Sequence, residues 1–328
     1  MKLSLKKLIS PSIPLSVLLV AACGALWFLP LDNGVPHLSA DLMPLSKVIH
    51  DFNLSELPVK AVCLVLTLLN AFLLLQLNNK FTLIRQRTFL LFFLYFFVIS
   101  IWNTTHYLII GNFAATMIIG SFFTFLQTYD DNVDTAEPIF LGSFMIAFAG
   151  FMLLPEFLVF IIPAWLGLAM LKSISLRTFL ASIIGLAAPL LFCLLFVDGY
   201  SQLLITHFYG FQQNTIKSFY AFSIVEIIYM AIFLIISVIF IIGIYSNIVR
   251  DIIRTRININ FTALFFFFTL AITALFSYSF SYFLPIIAAL FAIIAAHPLT
   301  VRKDFFYQIL FWFFFGVNIV YLLIKLII

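Results

Sequence analysis

Long apolar stretches alternate with short polar connections along almost the whole chain. A helix of about 20 apolar residues crosses the hydrocarbon core of a bilayer, so the pattern predicts about eleven transmembrane helices. In chain order they cover residues 13–29, 58–77, 88–101, 107–126, 138–154, 157–171, 178–197, 224–244, 261–276, 282–296 and 306–324. The fifth and sixth segments are short and joined by Pro155-Glu156, which also fits a re-entrant pair that never crosses.

The basic residues test whether these segments alternate across a membrane. Lys and Arg concentrate in the cytoplasmic connections of membrane proteins. With strictly alternating crossings, all of the 17 basic residues fall on the side of the N-terminus except Lys47, Lys60, Lys217 and Lys325. This bias predicts a cytoplasmic N-terminus and places both long polar loops outside. A re-entrant pair would leave the bias unchanged.

The longest polar interruption, residues 30–57, follows the first predicted span. Within it, Pro44 can start a short helix that reaches about Asn53. Apolar side chains recur on one face of this helix at spacings of three and four, with polar side chains opposite. The apolar face comprises Leu45, Val48, Ile49 and Phe52, and the polar face comprises Lys47, His50 and Asp51. The arrangement is typical of a helix that lies in the membrane interface.

Composition supports a membrane protein and argues against two other classes. Of the 328 residues, 64% are hydrophobic and 9% are charged, whereas soluble domains are about half apolar and a quarter charged. The net charge is +4, and the basic residues are scattered without interleaved aromatics, which argues against nucleic-acid binding. The sequence shows no internal repeat and no polar linker, so residues 1–328 are expected to form one integral membrane domain.

Several catalytic and metal-binding motifs are absent from the sequence. It contains no Gly-rich Walker loop, no HExxH pair and no GxSxG elbow. The five histidines are isolated from one another, so no local zinc motif appears. An acidic run from Asp130 to Asp134 lacks the glycine and the closing glutamate of a calcium loop. The sequence therefore predicts neither a cofactor nor a metal site.

Carboxylates of the first outer loop are the strongest candidates for chemistry. A carboxylate held beside a low-dielectric boundary can act as a general base, which an enzyme with a lipid-carried sugar donor needs at that depth. The candidate catalytic residues are Asp32, Asp41 and Asp51. The alternative is that these are solvated loop acids, with Lys47 and Asp51 as a weak i, i+4 pair.

Further side chains are candidates for substrate binding, namely His50, His207, Lys217 and Glu226. Lys217 and His207 lie in the second outer loop, where they would bind phosphate. Glu226 lies in the first turn of the eighth predicted span, and an ionisable group within a span is a functional candidate. Alternatively, Glu226 reaches the lipid headgroups at the rim, and Lys217 is a solvated loop charge.

Three pieces of the chain carry a family resemblance. They are Leu69-Asn70-Ala71-Phe72 with Leu77-Asn78-Asn79-Lys80-Phe81, then Ile84-Arg85-Gln86-Arg87-Thr88-Phe89-Leu90, and later Leu176-Arg177-Thr178-Phe179 with Ile184-Gly185-Leu186-Ala187-Ala188-Pro189. In this order they resemble an uncharacterised family of polytopic membrane proteins of Bacteroidetes, a domain of unknown function, over roughly the first two thirds of the chain. The resemblance implies a location in the bacterial inner membrane. The family has no established activity, so no functional residue is carried over.

The architecture is also similar, more loosely, to the C-superfamily of membrane glycosyltransferases. Those enzymes have many spans and an acidic first outer loop with a juxtamembrane helix. The likeness implies that Asp32, or one of Asp41 and Asp51, stands in the place of their catalytic acid. The chain lacks the paired acidic motif that usually marks that place, so the comparison is an analogy at the level of architecture.

Together these patterns predict an all-α fold, a bundle of about eleven transmembrane helices with a juxtamembrane helix in the first outer loop. The first functional hypothesis is a glycosyltransferase-like enzyme of the cell envelope, or a degenerate relative, acting on a lipid-linked substrate at the outer leaflet. The second is a transporter or flippase with helices broken at Pro163 and Pro285. The third is a non-catalytic structural or assembly subunit of an envelope complex. The expected partners are the lipid bilayer and either a lipid-linked sugar or envelope-complex subunits, but no nucleic acid.

Overall fold

The computed structural model describes residues 13–28, 43–52, 55–84, 86, 88–129, 135–207, 223–246, 251–301 and 305–327. Within these residues the chain is all-helical and contains no strand, as the sequence predicts. The α-helices are α1 (Ile13–Leu26), α2 (Pro44–Asp51), α3 (Glu56–Phe81), α4 (Leu90–Ile101), α5 (Ile109–Gln127), α6 (Ala136–Phe148), α7 (Ile161–Met170), α8 (Leu176–Phe196), α9 (200–207), α10 (Ile224–Tyr245), α11 (Ile253–Leu275), α12 (Phe280–Val301) and α13 (Phe305–Ile327).

Eight of the helical segments that the structure describes are long and apolar enough to cross a membrane. They are α3, α5, α6 with the π-turn after it, α8, α10, α11, α12 with the turn before it, and α13. The segments of α1, α4 and α7 are apolar but shorter. Each span predicted from the sequence overlaps one of these helices, although α1, α4 and α7 are shorter than the eight candidate spans. The chain is therefore a multi-pass integral membrane protein, because helices of this length and composition bury their surface in lipid.

Helix α12 lies at the centre of the bundle and packs against α4, α5, α10 and α11. Nearly all of its side chains are buried. Its sequence is apolar on every side, and small residues such as Ala288, Ala292 and Ala295 let the neighbouring helices approach closely. Helices α8 and α13 expose large apolar side chains, such as Leu195 and Phe313. Such exposure is expected where a helix faces lipid.

Helices α6 and α8 are in close contact at Gly185 of α8. A Cβ atom at this position would lie 2.5 Å from the carbonyl oxygen of Phe140 in α6. We expect Gly185→Ala to lower the free energy of unfolding by about 1–3 kcal/mol, because the clash with backbone outweighs the gain in helix propensity. Gly24→Ala in α1 is the matched control, since nothing lies within 4 Å of its added Cβ atom. Thermal unfolding in detergent measures the stability of both variants. Equal unfolding midpoints for Gly185→Ala and Gly24→Ala would contradict the close contact.

The helical segment that begins with α6 breaks at Leu154. Helix α6 continues into a π-turn, Ala149–Leu153, and Leu154 then adopts an extended backbone with φ −150° and ψ 123°. Pro155 begins a 3-10 helix, Pro155–Phe160, that leads into α7. Proline has no N–H to donate and disfavours helical backbone in the preceding residue, which explains the position of the break.

The structure does not have the breaks that the transporter hypothesis placed at Pro163 and Pro285, and that part of the prediction is wrong. Pro163 lies in the first turn of α7, where a missing N–H costs little. Helix α12 continues without interruption through Pro285. The break lies instead at Leu154, before Pro155.

Two side chains satisfy backbone carbonyls at the break. The Tyr200 hydroxyl of α9 donates to the Phe151 carbonyl at 3.0 Å, and the Ser46 hydroxyl of α2 donates to the Leu153 carbonyl at 2.7 Å. In a continuous α-helix the Phe151 carbonyl would accept from the N–H of residue 155, which Pro155 lacks. Since buried carbonyls without donors cost free energy, these two bonds hold α2 and α9 against the break.

The short helix predicted in the first outer loop is present as α2. Leu45 and Ile49, on its predicted apolar face, are partly buried against the bundle. Val48 and Phe52, on the same face, remain exposed. The apolar face is therefore divided between contact with the protein and contact with its surroundings.

Candidate functional site

A buried carboxylate, that of Glu156, lies directly after the break, at the second residue of the 3-10 helix. The side chain is 2% exposed. Its oxygen Oε1 accepts hydrogen bonds from the hydroxyls of Tyr278 and of Ser279, the latter at 3.1 Å, and lies 3.2 Å from Nε2 of His207. The other oxygen, Oε2, is buried and has no hydrogen-bond partner within the described residues. We call these four residues the Glu156 cluster.

Three separate segments bring the Glu156 cluster together. Glu156 follows the break between α6 and α7, and His207 is the last residue of α9 that the structure describes. Tyr278 and Ser279 belong to the 3-10 turn Ser277–Ser279, which connects α11 with α12. Glu156 is 51 positions from His207 and 123 positions from Ser279 along the chain. The cluster thus connects the break at Leu154 with the turn Ser277–Ser279. At each of these interruptions buried polar groups need hydrogen-bond partners, because water does not reach them.

The two oxygens of Glu156 are not equivalent. Oε1 is held by three neighbouring groups, which orient the carboxylate, whereas Oε2 keeps lone pairs for a further donor. A buried carboxylate is costly unless it is compensated, and His207, when protonated, supplies the opposite charge at hydrogen-bond distance. The arrangement can hold a general base in place, and Oε2 can accept a proton or a hydrogen bond from a bound hydroxyl or ammonium group.

Glu226 forms a separate ion pair at the start of α10. Its oxygen Oε2 accepts from the N–H of Ser223 at 3.0 Å, and the Ser223 hydroxyl accepts from the N–H of Glu226 at 3.2 Å. This reciprocal pair is a capping box that starts the helix. Lys325, near the end of α13, donates to Oε1 of Glu226 at 2.7 Å. Both charged side chains are partly exposed, Glu226 at 28% and Lys325 at 22%.

Two apolar grooves flank α10. Groove A, about 380 Å³, lies between α10, α11 and α12. Groove B, about 420 Å³, lies between α10 and α13. Glu226 lines one end of groove A, and Ile324, the neighbour of Lys325, lines one end of groove B. The ion pair therefore lies at an end that the two grooves share.

A hydrogen bond links residues that line the two grooves. Nε1 of Trp102 donates to the Tyr229 hydroxyl at 2.8 Å, and this hydroxyl donates to Oδ1 of Asn318 at 2.8 Å. Trp102 lines groove A, whereas Tyr229 lines groove B. All three side chains are buried. These hydrogen bonds join the end of α4 to α10 and α13, so they also stabilise α10 between the grooves.

Of the candidate residues in the first outer loop, the structure describes His50 and Asp51. Asp51 and His50 are exposed at the end of α2, with Nδ1 of His50 3.8 Å from the Asp51 carboxylate. Asp32, Asp41 and Lys217 lie outside the described residues. Their proposed roles therefore stay predictions. Within the part of the chain that the structure describes, no group of three or more His, Cys, Asp or Glu side chains is placed to hold a metal ion.

Among the candidates that the structure describes, His207 lies in the Glu156 cluster and Glu226 lies between the grooves. Sequence reasoning missed Glu156, Tyr278 and Ser279, because it treated Pro155-Glu156 as a joint between spans and left Tyr278 and Ser279 between the predicted spans 261–276 and 282–296. One signal was available in the sequence. Glu156 is a carboxylate between two apolar segments, and an ionisable residue at membrane depth is a functional candidate.

His106 is a further buried titratable group. It lies in the 3-10 turn Asn103–His106 between α4 and α5, outside the spanning helices. The side chain is fully buried, and its ring stacks on Trp27 with a centroid distance of 4.0 Å. Burial, reinforced by the positive charge of Lys60, lowers the pKa of His106 to about 3. The imidazole is therefore neutral in the folded protein at neutral pH.

We expect His106 to make the protein less stable in acid. The unfolded chain takes up this proton near pH 6.5 and the folded chain only near pH 3, so the stabilisation is complete above pH 6.5 and is lost as the pH falls. At pH 5 the loss is roughly 2 kcal/mol. Thermal unfolding in detergent at about pH 7.5 and pH 5 measures it. His106→Phe can still stack on Trp27 and should lose this part of the pH dependence, whereas an unaltered pH dependence would contradict the assignment.

Comparisons of the chain with protein-family models, with curated proteins and with solved structures find no match. The resemblance to the Bacteroidetes family and the looser likeness to glycosyltransferases stay predictions. A function therefore has to follow from the geometry and chemistry of the site, because a helical membrane bundle by itself is compatible with many functions.

Proposed function

We propose that this protein is a cell-envelope enzyme that transfers a sugar from a lipid-linked donor at the outer leaflet of a bacterial inner membrane. On this proposal the N-terminus is cytoplasmic and about eleven segments cross the bilayer. The observation that carries it is the unequal bonding of Glu156. Oε1 is held by three groups, and Oε2 is buried without a partner within the described residues.

The position of the Glu156 cluster supports this proposal. With a cytoplasmic N-terminus, the charge bias places the break at Leu154 and the turn Ser277–Ser279 on the outer side. The donor phosphate would lie among the lipid headgroups, so its base has to lie at the end of the apolar segments. Glu156 meets this condition, because the apolar segments of α6 and α7 extend away from it in both chain directions.

In the proposed reaction, Oε2 of Glu156 takes the proton of the acceptor hydroxyl. The acceptor oxygen forms a bond to the anomeric carbon of the donor sugar, while the bond from that carbon to the lipid phosphate oxygen breaks. The phosphate leaves with the electron pair, and Lys217 would neutralise it. His207 positions the carboxylate and, when protonated, balances its charge.

A second candidate function is transport or lipid flipping. It is favoured by the meeting of two interrupted helical segments at one buried carboxylate, because discontinuous helices form the substrate sites of many transporters. In that function Glu156 would bind a hydroxyl or ammonium group of the cargo, and no bond of the cargo would break.

The test is turnover by the purified protein in proteoliposomes that contain a polyprenyl-phosphate-linked hexose, with a methyl hexoside added as the hydroxyl acceptor. Released polyprenyl phosphate reports transfer, and movement of the labelled donor between leaflets reports flipping. We expect release by the wild-type protein and almost none by Glu156→Gln. Flipping without release would favour the transporter. The absence of both release and flipping would favour the structural-subunit hypothesis.

A combined variant decides between the two possible sources of the base. It carries Asp32→Asn, Asp41→Asn and Asp51→Asn together. If this variant loses release while Glu156→Gln retains it, the base lies in the first outer loop and the assignment of Glu156 is wrong.

A further inference from the structure

Grooves A and B have the properties of sites for apolar chains. Their volumes, about 380 and 420 Å³, lie within the usual range of about 300–1,000 Å³ for ligand sites. Their linings are almost wholly apolar. Neighbouring side chains of α10, such as Ile227 and Ile228, are more than half exposed, as on a lipid-facing helix. Water finds few polar partners in such grooves, so hydrocarbon fills them better.

The shared end of the grooves carries one charge of each sign. Lys325 has three N–H donors and gives one of them to Glu226, and both side chains are partly exposed. A headgroup that carries both a phosphate and an ammonium group would match this pair, with the phosphate on Lys325 and the ammonium on Glu226. An anionic headgroup without an amine would bring a second negative charge beside Glu226 and supply no cation to it.

From these features we infer that α10 is a binding site for one phospholipid with an ethanolamine-type headgroup. One acyl chain lies in groove A and the other in groove B, so that the lipid straddles α10. Helix α10 separates the two acyl chains, and the hydrogen bonds of Tyr229 with Trp102 and Asn318 hold this helix in the bundle. A single-chain lipid phosphate would fill one groove only and would leave Glu226 without a cationic partner from the ligand.

Native mass spectrometry of the purified protein tests this site, with added dioleoyl phosphatidylethanolamine and, separately, dioleoyl phosphatidylglycerol as probes. We expect the wild-type protein to bind one phosphatidylethanolamine roughly tenfold more tightly than phosphatidylglycerol, the size of one charge-assisted hydrogen bond. Glu226→Gln should lose this preference while it still starts α10, because glutamine also serves in a capping box. Lys325→Met should weaken the binding of both lipids.

A variant that fills groove B tests the placement of the acyl chain. Gly316 lines this groove, and nothing lies within 4 Å of a Cβ atom added to it. We expect Gly316→Phe to lower phosphatidylethanolamine binding roughly tenfold, since about two buried methylene groups lost account for that change. Gly24→Phe is the matched control, because its added Cβ atom also meets open space and it lines neither groove.

Two results would overturn the inference. One is equal binding of the two lipids by the wild-type protein. The other is undiminished phosphatidylethanolamine binding by both Gly316→Phe and Lys325→Met. The binding measurement needs no turnover, so the lipid site and the proposed transfer reaction succeed or fail separately.

Discussion

Replacing Glu156 by glutamine is expected to lower turnover of the lipid-linked donor by about 10²–10⁴-fold, the usual contribution of a general base. Glutamine has nearly the same shape, and its amide oxygen can accept from the hydroxyls of Tyr278 and Ser279. It cannot take the proton of the acceptor hydroxyl. Release of polyprenyl phosphate from polyprenyl-phosphate-linked hexose in proteoliposomes measures the effect.

The control for this variant is the same chemical change at an exposed carboxylate. Glu137 lies in the first turn of α6 and its side chain is exposed, so Glu137→Gln should turn over donor like the wild-type protein. Thermal unfolding of Glu156→Gln shows whether the fold survives the change. A well-folded Glu156→Gln protein that retains turnover within a few-fold would refute the role of Glu156 as the base.

The largest expected effect on stability comes from His297 in α12. Its Nε2 atom lies 3.3 Å from Oδ2 of Asp251, and the two side chains are 2% and 0% exposed. Replacing His297 removes this contact from a buried carboxylate, and breaking a buried pair of this kind is costly. We therefore expect His297→Leu to lower the free energy of unfolding by about 3–5 kcal/mol.

Unfolding during titration with a denaturing detergent measures this loss in the free energy of unfolding. His50→Leu is the control, because His50 is exposed on α2 and its replacement should change stability by no more than about 0.5 kcal/mol. Asp251→Asn added to His297→Leu should recover part of the loss, since it removes the buried charge that His297 faced. If His297→Leu and His50→Leu unfold alike, the pair contributes nothing to the fold.

Local sequence signals predicted elements well, and their failures have physical causes. The three- and four-residue spacing of Leu45, Ile49 and Phe52 predicted α2, because periodicity reports the faces of a helix directly. Pro163 and Pro285 looked like helix breakers, yet no break lies at either of them. Pro163 is in the first turn of α7, where the missing N–H costs little, whereas α12 continues through Pro285, its sixth residue. The break falls at Leu154, where Tyr200 and Ser46 supply the carbonyl partners that no local pattern reveals.

The sequence by itself determined that the chain is a helical, multi-pass membrane protein and where each apolar helix lies, because transfer of apolar side chains into lipid depends on local composition and length. Only the tertiary structure decided which polar groups meet. Glu156, His207 and Ser279 come from segments 51 and 123 positions apart. Helices that are apolar on every side, such as α12, carry no stripe that tells which face meets which neighbour. Their contacts follow from the fit of small and large side chains in three dimensions, and that fit placed the carboxylate, the imidazole and the hydroxyls together.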